Sequence, residues 1–111
     1  MKARYNVWIE GSDGGIILSP WRARLLEAVE REGSITAAAE VLKLPYRRAW
    51  EKLKEMEVNF GEPLVATEVG GPHGGGAHLT DSARDLMDRF RTFEAGLGTE
   101  IEARYKRAFR K

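Results

Sequence analysis

The 111-residue chain contains no cysteine. That excludes a disulfide framework, a thiolate metal site and thiol catalysis, and it fits a reducing compartment. No apolar run approaches the ~20 residues that cross a bilayer. The start, MKARYNVWIEG, lacks the apolar stretch of a signal peptide. Together these absences lead us to expect a cytoplasmic protein with no membrane partner. Charge of one sign is also lacking: 18 basic residues face 17 acidic ones, for a net charge of +1. Bulk charge therefore names no polyanionic partner, and a basic surface would have to be local. His73 and His78 stand five apart with no H-E-x-x-H pattern beside them, which makes a poor metal site. We expect no catalytic residues, no metal and no cofactor, and hence not an enzyme.

What is present is a folded composition, with 42% hydrophobic residues, enough for one modest core. The segment ARYNVWIEG alternates, with Tyr5, Val7 and Ile9 on one face, as a half-buried strand does. GSDGG (11–15) is turn chemistry and IILS a returning strand, so the chain opens with a β-hairpin. Ser19-Pro20 starts a helix and Gly33 stops it. Trp21, Leu25, Leu26 and Val29 form its inward face, while the charged residues Arg22, Arg24, Glu27, Glu30, Arg31 and Glu32 fall mostly on the wet side.

Ser34 caps a second, short helix with Ile35, Ala38, Val41 and Leu42 inward. Pro45 opens a third, PYRRAWEKLKEMEVNF, with Ala49, Trp50, Leu53, Met56 and Phe60 on one side, ended by Gly61 and Pro63. PLVAT (63–67) and AHLT (77–80) are short strand candidates. Between them, residues 70–76 hold five glycines. Thr80 caps a last helix with a stripe from Ala83 through Leu86, Met87, Phe90, Phe93, Leu97, Ile101, Tyr105 and Ala108, interrupted at Gly96 and Gly98.

Two helices joined by a tight turn make a helix-turn-helix, and a hairpin directly after them makes a wing. The expected fold is mainly α with small β elements. It is a winged helix-turn-helix over residues 1–80, with a leading β-hairpin and a wing at 63–80. A long C-terminal helix at 81–111 follows as a dimerisation element.

The third helix carries the chemistry. From Lys43 to Lys54 five basic residues stand against one acid, Glu51, a local excess of +4 in twelve residues. The major groove of B-DNA admits one α-helix, read from its N-terminal turn. Tyr46, Arg47 and Arg48 occupy that turn, and Lys52 follows. Ser34 and Thr36, at the start of the second helix, are placed to meet the DNA backbone. Trp50 reads as core. The glycine run lacks the lysine and the Ser/Thr of a phosphate-binding P-loop, and the chain has no βαβ unit for a dinucleotide. It reads instead as a wing tip, where Gly71 and Gly74 let the backbone approach DNA and His73 offers the polar side chain.

These pieces resemble a known family. GSITAAA, YRRAW, PLV opening the wing and GGPHGGGAHLT within it are similar to the DNA-binding domain of ModE-type molybdate-responsive regulators, themselves related to the LysR-type winged helix. The resemblance covers about residues 3–95. It implies a dimeric, sequence-specific transcriptional regulator that binds double-stranded DNA. It also implies that the third helix enters the major groove, the wing touches DNA and the last helix pairs two copies. Two positions depart from the family: Pro45 stands where serine is usual and removes a capping hydroxyl, and Pro72 stands where lysine is usual and removes a charge. Nothing after residue 95 has the pattern of the family's β-rich molybdate-binding domain, so the expectation is DNA binding without oxyanion sensing. Two other readings stay open: a winged-helix protein–protein adaptor, and a phosphate- or nucleotide-binding module built on the glycine run.

Overall fold

The computed structural model describes residues 1–69 and 75–110. Two short hairpins bracket three helices, and two further helices follow: β1 (Ile9–Glu10), β2 (Ile16–Leu18), α1 (Pro20–Glu32), α2 (Ile35–Val41), α3 (Tyr46–Phe60), β3 (Val65–Thr67), β4 (Ala77–Leu79), α4 (Asp81–Glu94) and α5 (Leu97–Ala108). This is the winged helix-turn-helix order expected from the sequence.

Local chemistry sets most boundaries. The side-chain oxygens of Ser19, Ser34 and Thr80 accept the Arg22, Ala37 and Ala83 N–H groups at 3.2, 3.0 and 3.1 Å. Each satisfies one of the free donors at a helix start. Gly33 and Gly61 end α1 and α3 in the left-handed conformation, φ 76° and 90°. The α2–α3 turn is tighter than its residues prefer. Lys43, not a glycine, takes φ 58°, a conformation that costs an L-residue roughly 1–2 kcal/mol. Leu44 N–H then closes the turn on the Ala39 carbonyl at 2.8 Å. Pro45 precedes α3 as an extended residue and makes no side-chain cap.

The leading hairpin is shorter than the alternating pattern suggested. Pairing runs only from Ile9↔Leu18 to Glu10↔Ile16, with a bulge between. β2 is three residues long, so residues 5–8 find no strand to pair with. Tyr5 is exposed, while Val7 and Ile9 still lean on the core. The second hairpin pairs Val65↔Leu79, Ala66↔His78 and Thr67↔Ala77.

One core joins β2, α1, α2, α3, the base of the wing and α4. Leu18, Leu25, Leu26, Leu53, Met56 and Leu64 are its largest fully buried members, and Ala83, Met87 and Phe90 of α4 close one side. Five residues depart from the helical-periodicity reading. Val41, Trp50, Phe93 and Ala108 are exposed, and Arg22 is buried. In α2 the short side chain of Ala39 goes inward and Val41 stays in water. Arg22 is drawn in by Glu55 of α3, 3.3 Å away, a partner that no local pattern reveals.

The last helix breaks at the first of its two interrupting glycines. Ala95 is extended and Gly96 left-handed, φ 84°. α5 then runs on with no buried residue. The chain measures 64 × 29 × 21 Å with a radius of gyration of 16.8 Å, against about 13 Å for a compact domain of this length. Among the described residues no helix is long and apolar enough to cross a membrane.

Candidate nucleic-acid interface

Successive residues turn about 100° around an α-helix. In α3, Ala49, Leu53 and Met56 are buried, which fixes Arg47, Glu51, Lys54 and Val58 on the opposite, outermost side. All four are exposed. Arg47 Nε lies 3.4 Å from Glu51 Oε1, with the two side chains 88% and 60% exposed. Arg48, on the same first turn, is exposed and has no acid within 4.0 Å among the described residues.

Tyr46 and Trp50 occupy the flank between this outer side and the core. Trp50 was expected inside, yet it is 43% exposed. It sits on the wall of a groove of about 300 Å³ that runs between the starts of α2 and α3 and the wing. Ser34 and Thr36 line it from α2, Tyr46 and Trp50 from α3, and Thr67 and Glu68 from the wing. The Lys54 ammonium stands over the indole, 5.6 Å from its centroid, within cation–π range. Four hydroxyl-bearing residues and an indole thus line one cleft, with a lysine at its edge and an acid, Glu68, on its wing side.

The wing is fastened from three directions. Ala77 N–H donates to the Gly33 carbonyl at 2.8 Å, tying β4 to the α1–α2 junction. Glu57, near the end of α3, accepts the Leu64 and Val65 N–H groups with one oxygen, at 2.8 and 3.1 Å. Glu30 of α1 accepts Leu79 N–H at 2.8 Å and Arg84 at 3.0 Å. The Arg84 hydrogen bond, with help from the Leu79 N–H, holds the Glu30 carboxyl below its usual value, and the same contact raises Arg84.

The structure therefore brings Ser34, Thr36 and Tyr46 into one groove and puts Arg47 and Arg48 on the solvent side of α3. Lys52 follows Arg48 at i+4, so both lie about 200° around the helix from Trp50 and away from the groove; Lys52 is held against Glu55 at 3.4 Å, whose other oxygen meets Arg22. Gly71, His73 and Gly74 lie outside the described residues. Sequence reasoning did not select Glu51, Lys54, Thr67 or Glu68 for the site. For Glu51 and Lys54 the signal was there, since they follow Arg47 at i+4 and i+7.

Residues 22–84, more than half of the chain, match the family described as bacterial regulatory helix-turn-helix protein, lysR family. The chain belongs to that lysR family. The match runs from α1 across the groove and the wing into α4, so it contains every element that builds the interface. The chain is 47% identical over 83 residues to the molybdenum transport protein ModE of Azotobacter vinelandii, covering 75% of this chain and 31% of that protein. It is 37% identical over 98 residues to the molybdenum-pterin-binding protein MopB of Rhodobacter capsulatus, covering 78% and 36%. To the transcriptional regulator ModE of Haemophilus influenzae it is 35% identical over 79 residues, covering 71% and 31%. The resemblance to ModE-type proteins seen in YRRAW and the glycine-rich wing is thus shown, within the lysR family. The chain spans about a third of the length of these curated relatives.

Proposed function

We propose that the chain is a sequence-specific DNA-binding module of a transcriptional regulator, acting in the cytoplasm as a homodimer. The observation that carries the DNA reading is the placement of Arg47 and Arg48. Both are exposed on the first turn of α3, the turn whose Tyr46 lines a hydroxyl-rich groove that ends at the wing. An α-helix enters the major groove N-terminal turn first. An arginine fork there pairs with guanine O6 and N7, worth ~1–3 kcal/mol of discrimination. Ser34, Thr36 and Tyr46 then face the sugar-phosphate strand that passes between α3 and the wing. Membership of the lysR family and the relatives named as regulators support the same reading, and it is confined to DNA: oxyanion sensing is no part of it.

The dimer reading rests on α5. Leu97, Ile101 and Tyr105 are only partly covered and recur at helical spacing. Half-exposed Phe93 borders an apolar hollow of about 250 Å³ with Ile9, Leu18, Leu86 and Phe90. A second copy would cover this surface. Residues 1–80 would then present the DNA face and 81–111 the pairing element.

The test is the double variant Arg47→Ala plus Arg48→Ala. Affinity for duplex DNA selected from a random pool falls by at least an order of magnitude, while circular dichroism and melting temperature stay unchanged. Unchanged affinity removes these residues from the site. Sedimentation gives twice the 12.5 kDa chain mass for the dimer, and a concentration-independent monomer refutes it.

A further inference from the structure

Glu51 stands at an unfavourable place for a carboxylate if α3 enters DNA. It is the acid in the basic stretch from Lys43 to Lys54, and it lies on the outermost side of the helix, 60% exposed. A carboxylate carried toward a polyanion is repelled by it. An exposed i,i+4 ion pair adds too little stability to account for the residue. Its neighbour suggests another use. Glu51 meets Arg47 at Nε, which leaves both terminal amino groups of the guanidinium without an acid among the described residues. Those two groups form the fork that matches guanine O6 and N7. The contact leaves that fork without an acid among the described residues.

We infer that Arg47 and Glu51 form one base-reading unit: Arg47 takes a guanine, and Glu51 accepts a hydrogen bond from the N4 amino group of a cytosine close by. The inference rests on the DNA-binding reading above and names what that site recognises. The chemistry of the carboxylate limits the choice. An ionised carboxylate is acceptor-only, and cytosine N4 is the donor that an acid reads in the major groove. Four residues of helix advance about 6 Å, while base pairs are 3.4 Å apart. The guanine and the cytosine should therefore fall within about two base pairs of each other. Repulsion by the flanking phosphates then works as selection, because only the amino group of the right base offsets it.

The experiment is selection from a randomised duplex pool with the full chain and with Glu51→Gln and Arg47→Lys. Both sites are exposed, and both substitutions preserve size. The wild-type chain selects a motif with a fixed guanine and a fixed cytosine within two base pairs. Glu51→Gln relaxes the cytosine position alone, by about ten-fold, and moves it toward adenine, whose N6 and N7 suit an amide. Arg47→Lys relaxes the guanine position by a similar factor. A Glu51 that serves only to pair with Arg47 would instead weaken every sequence alike. A wild-type motif that Glu51→Gln leaves unchanged overturns the inference and leaves the DNA-binding reading standing. No motif at all from the folded wild-type chain overturns both.

Discussion

Glu30 accepts the Arg84 guanidinium at 3.0 Å with one carboxylate oxygen and the Leu79 N–H with the other. One side chain of α1 thereby holds a wing strand and the first turns of α4. The contact depresses the Glu30 carboxyl. A group whose value is lower in the folded state stabilises above its unfolded value, and that contribution is lost as pH falls through the folded one. Glu30→Gln should lower the melting temperature at neutral pH. The difference from wild type should shrink below the ordinary carboxylate value of 4.5 and vanish in stronger acid. Both side chains are more than a third exposed, at 39% and 49%, so solvent screening keeps the effect small. A difference that grows as pH falls would contradict this account.

Glu57 offers a larger effect. It is only 13% exposed, and one oxygen accepts two backbone N–H groups at the start of the wing while the other meets Lys54. Glu57→Ala should cost about 1–3 kcal/mol in urea unfolding, because it strands two donors. Glu57→Gln, which keeps an acceptor, should cost less. Hydrogen exchange at Leu64 and Val65 should accelerate in the alanine variant before exchange in α1 does.

Gly15 and Asn59 fix the leading hairpin to the end of α3. Asn59 donates to the Ile16 carbonyl at 2.8 Å, and a Cβ at Gly15 would overlap the Asn59 amide. Gly15→Ala should displace that side chain and lose its bond, worth roughly 0.5–1.5 kcal/mol. In a double-mutant cycle with Asn59→Ala the two costs should not add.

Arg22 tests how much a buried charge contributes. Among the described residues its Nε has no partner and its one ion pair is with Glu55, which Lys52 also holds. Arg22→Met removes an imperfectly satisfied buried cation, and half-exposed Glu55 keeps Lys52. Stability should therefore stay within about 1 kcal/mol of wild type or rise. A loss of 3 kcal/mol or more (roughly what breaking a well-made buried pair costs) would show that the pair is essential.

The ends of helices were legible because they depend on neighbours in sequence. Ser19, Ser34 and Thr80 cap, Gly33 and Gly61 stop, and Gly96 breaks the last helix, all from short-range chemistry. Residues whose surroundings are set by distant segments were not legible. Trp50 lies on the core side of the helical pattern, but the space it faces is a groove between α3 and the wing. Arg22 looks wet until Glu55, 33 residues on, is placed beside it. Tyr5 alternates like a strand residue, but the returning strand is too short to reach it. At the site, Arg47 and Arg48 follow from charge and spacing. Lys52 shares their charge and the flank of Arg48, but it is held against Glu55 beside Arg22, which needs the packing of α1 on α3 to be known.

The central claim is that the face built by α3, the groove and the wing base binds DNA. The most direct test is fluorescence anisotropy of labelled duplex DNA titrated with the protein at several salt concentrations. The account predicts log K falling linearly with log salt, with a slope of about −2.7 or steeper, as three or more neutralised phosphates require. It also predicts a sequence-selective remainder at the higher salt concentrations. Absence of binding at low salt by the folded protein would contradict it.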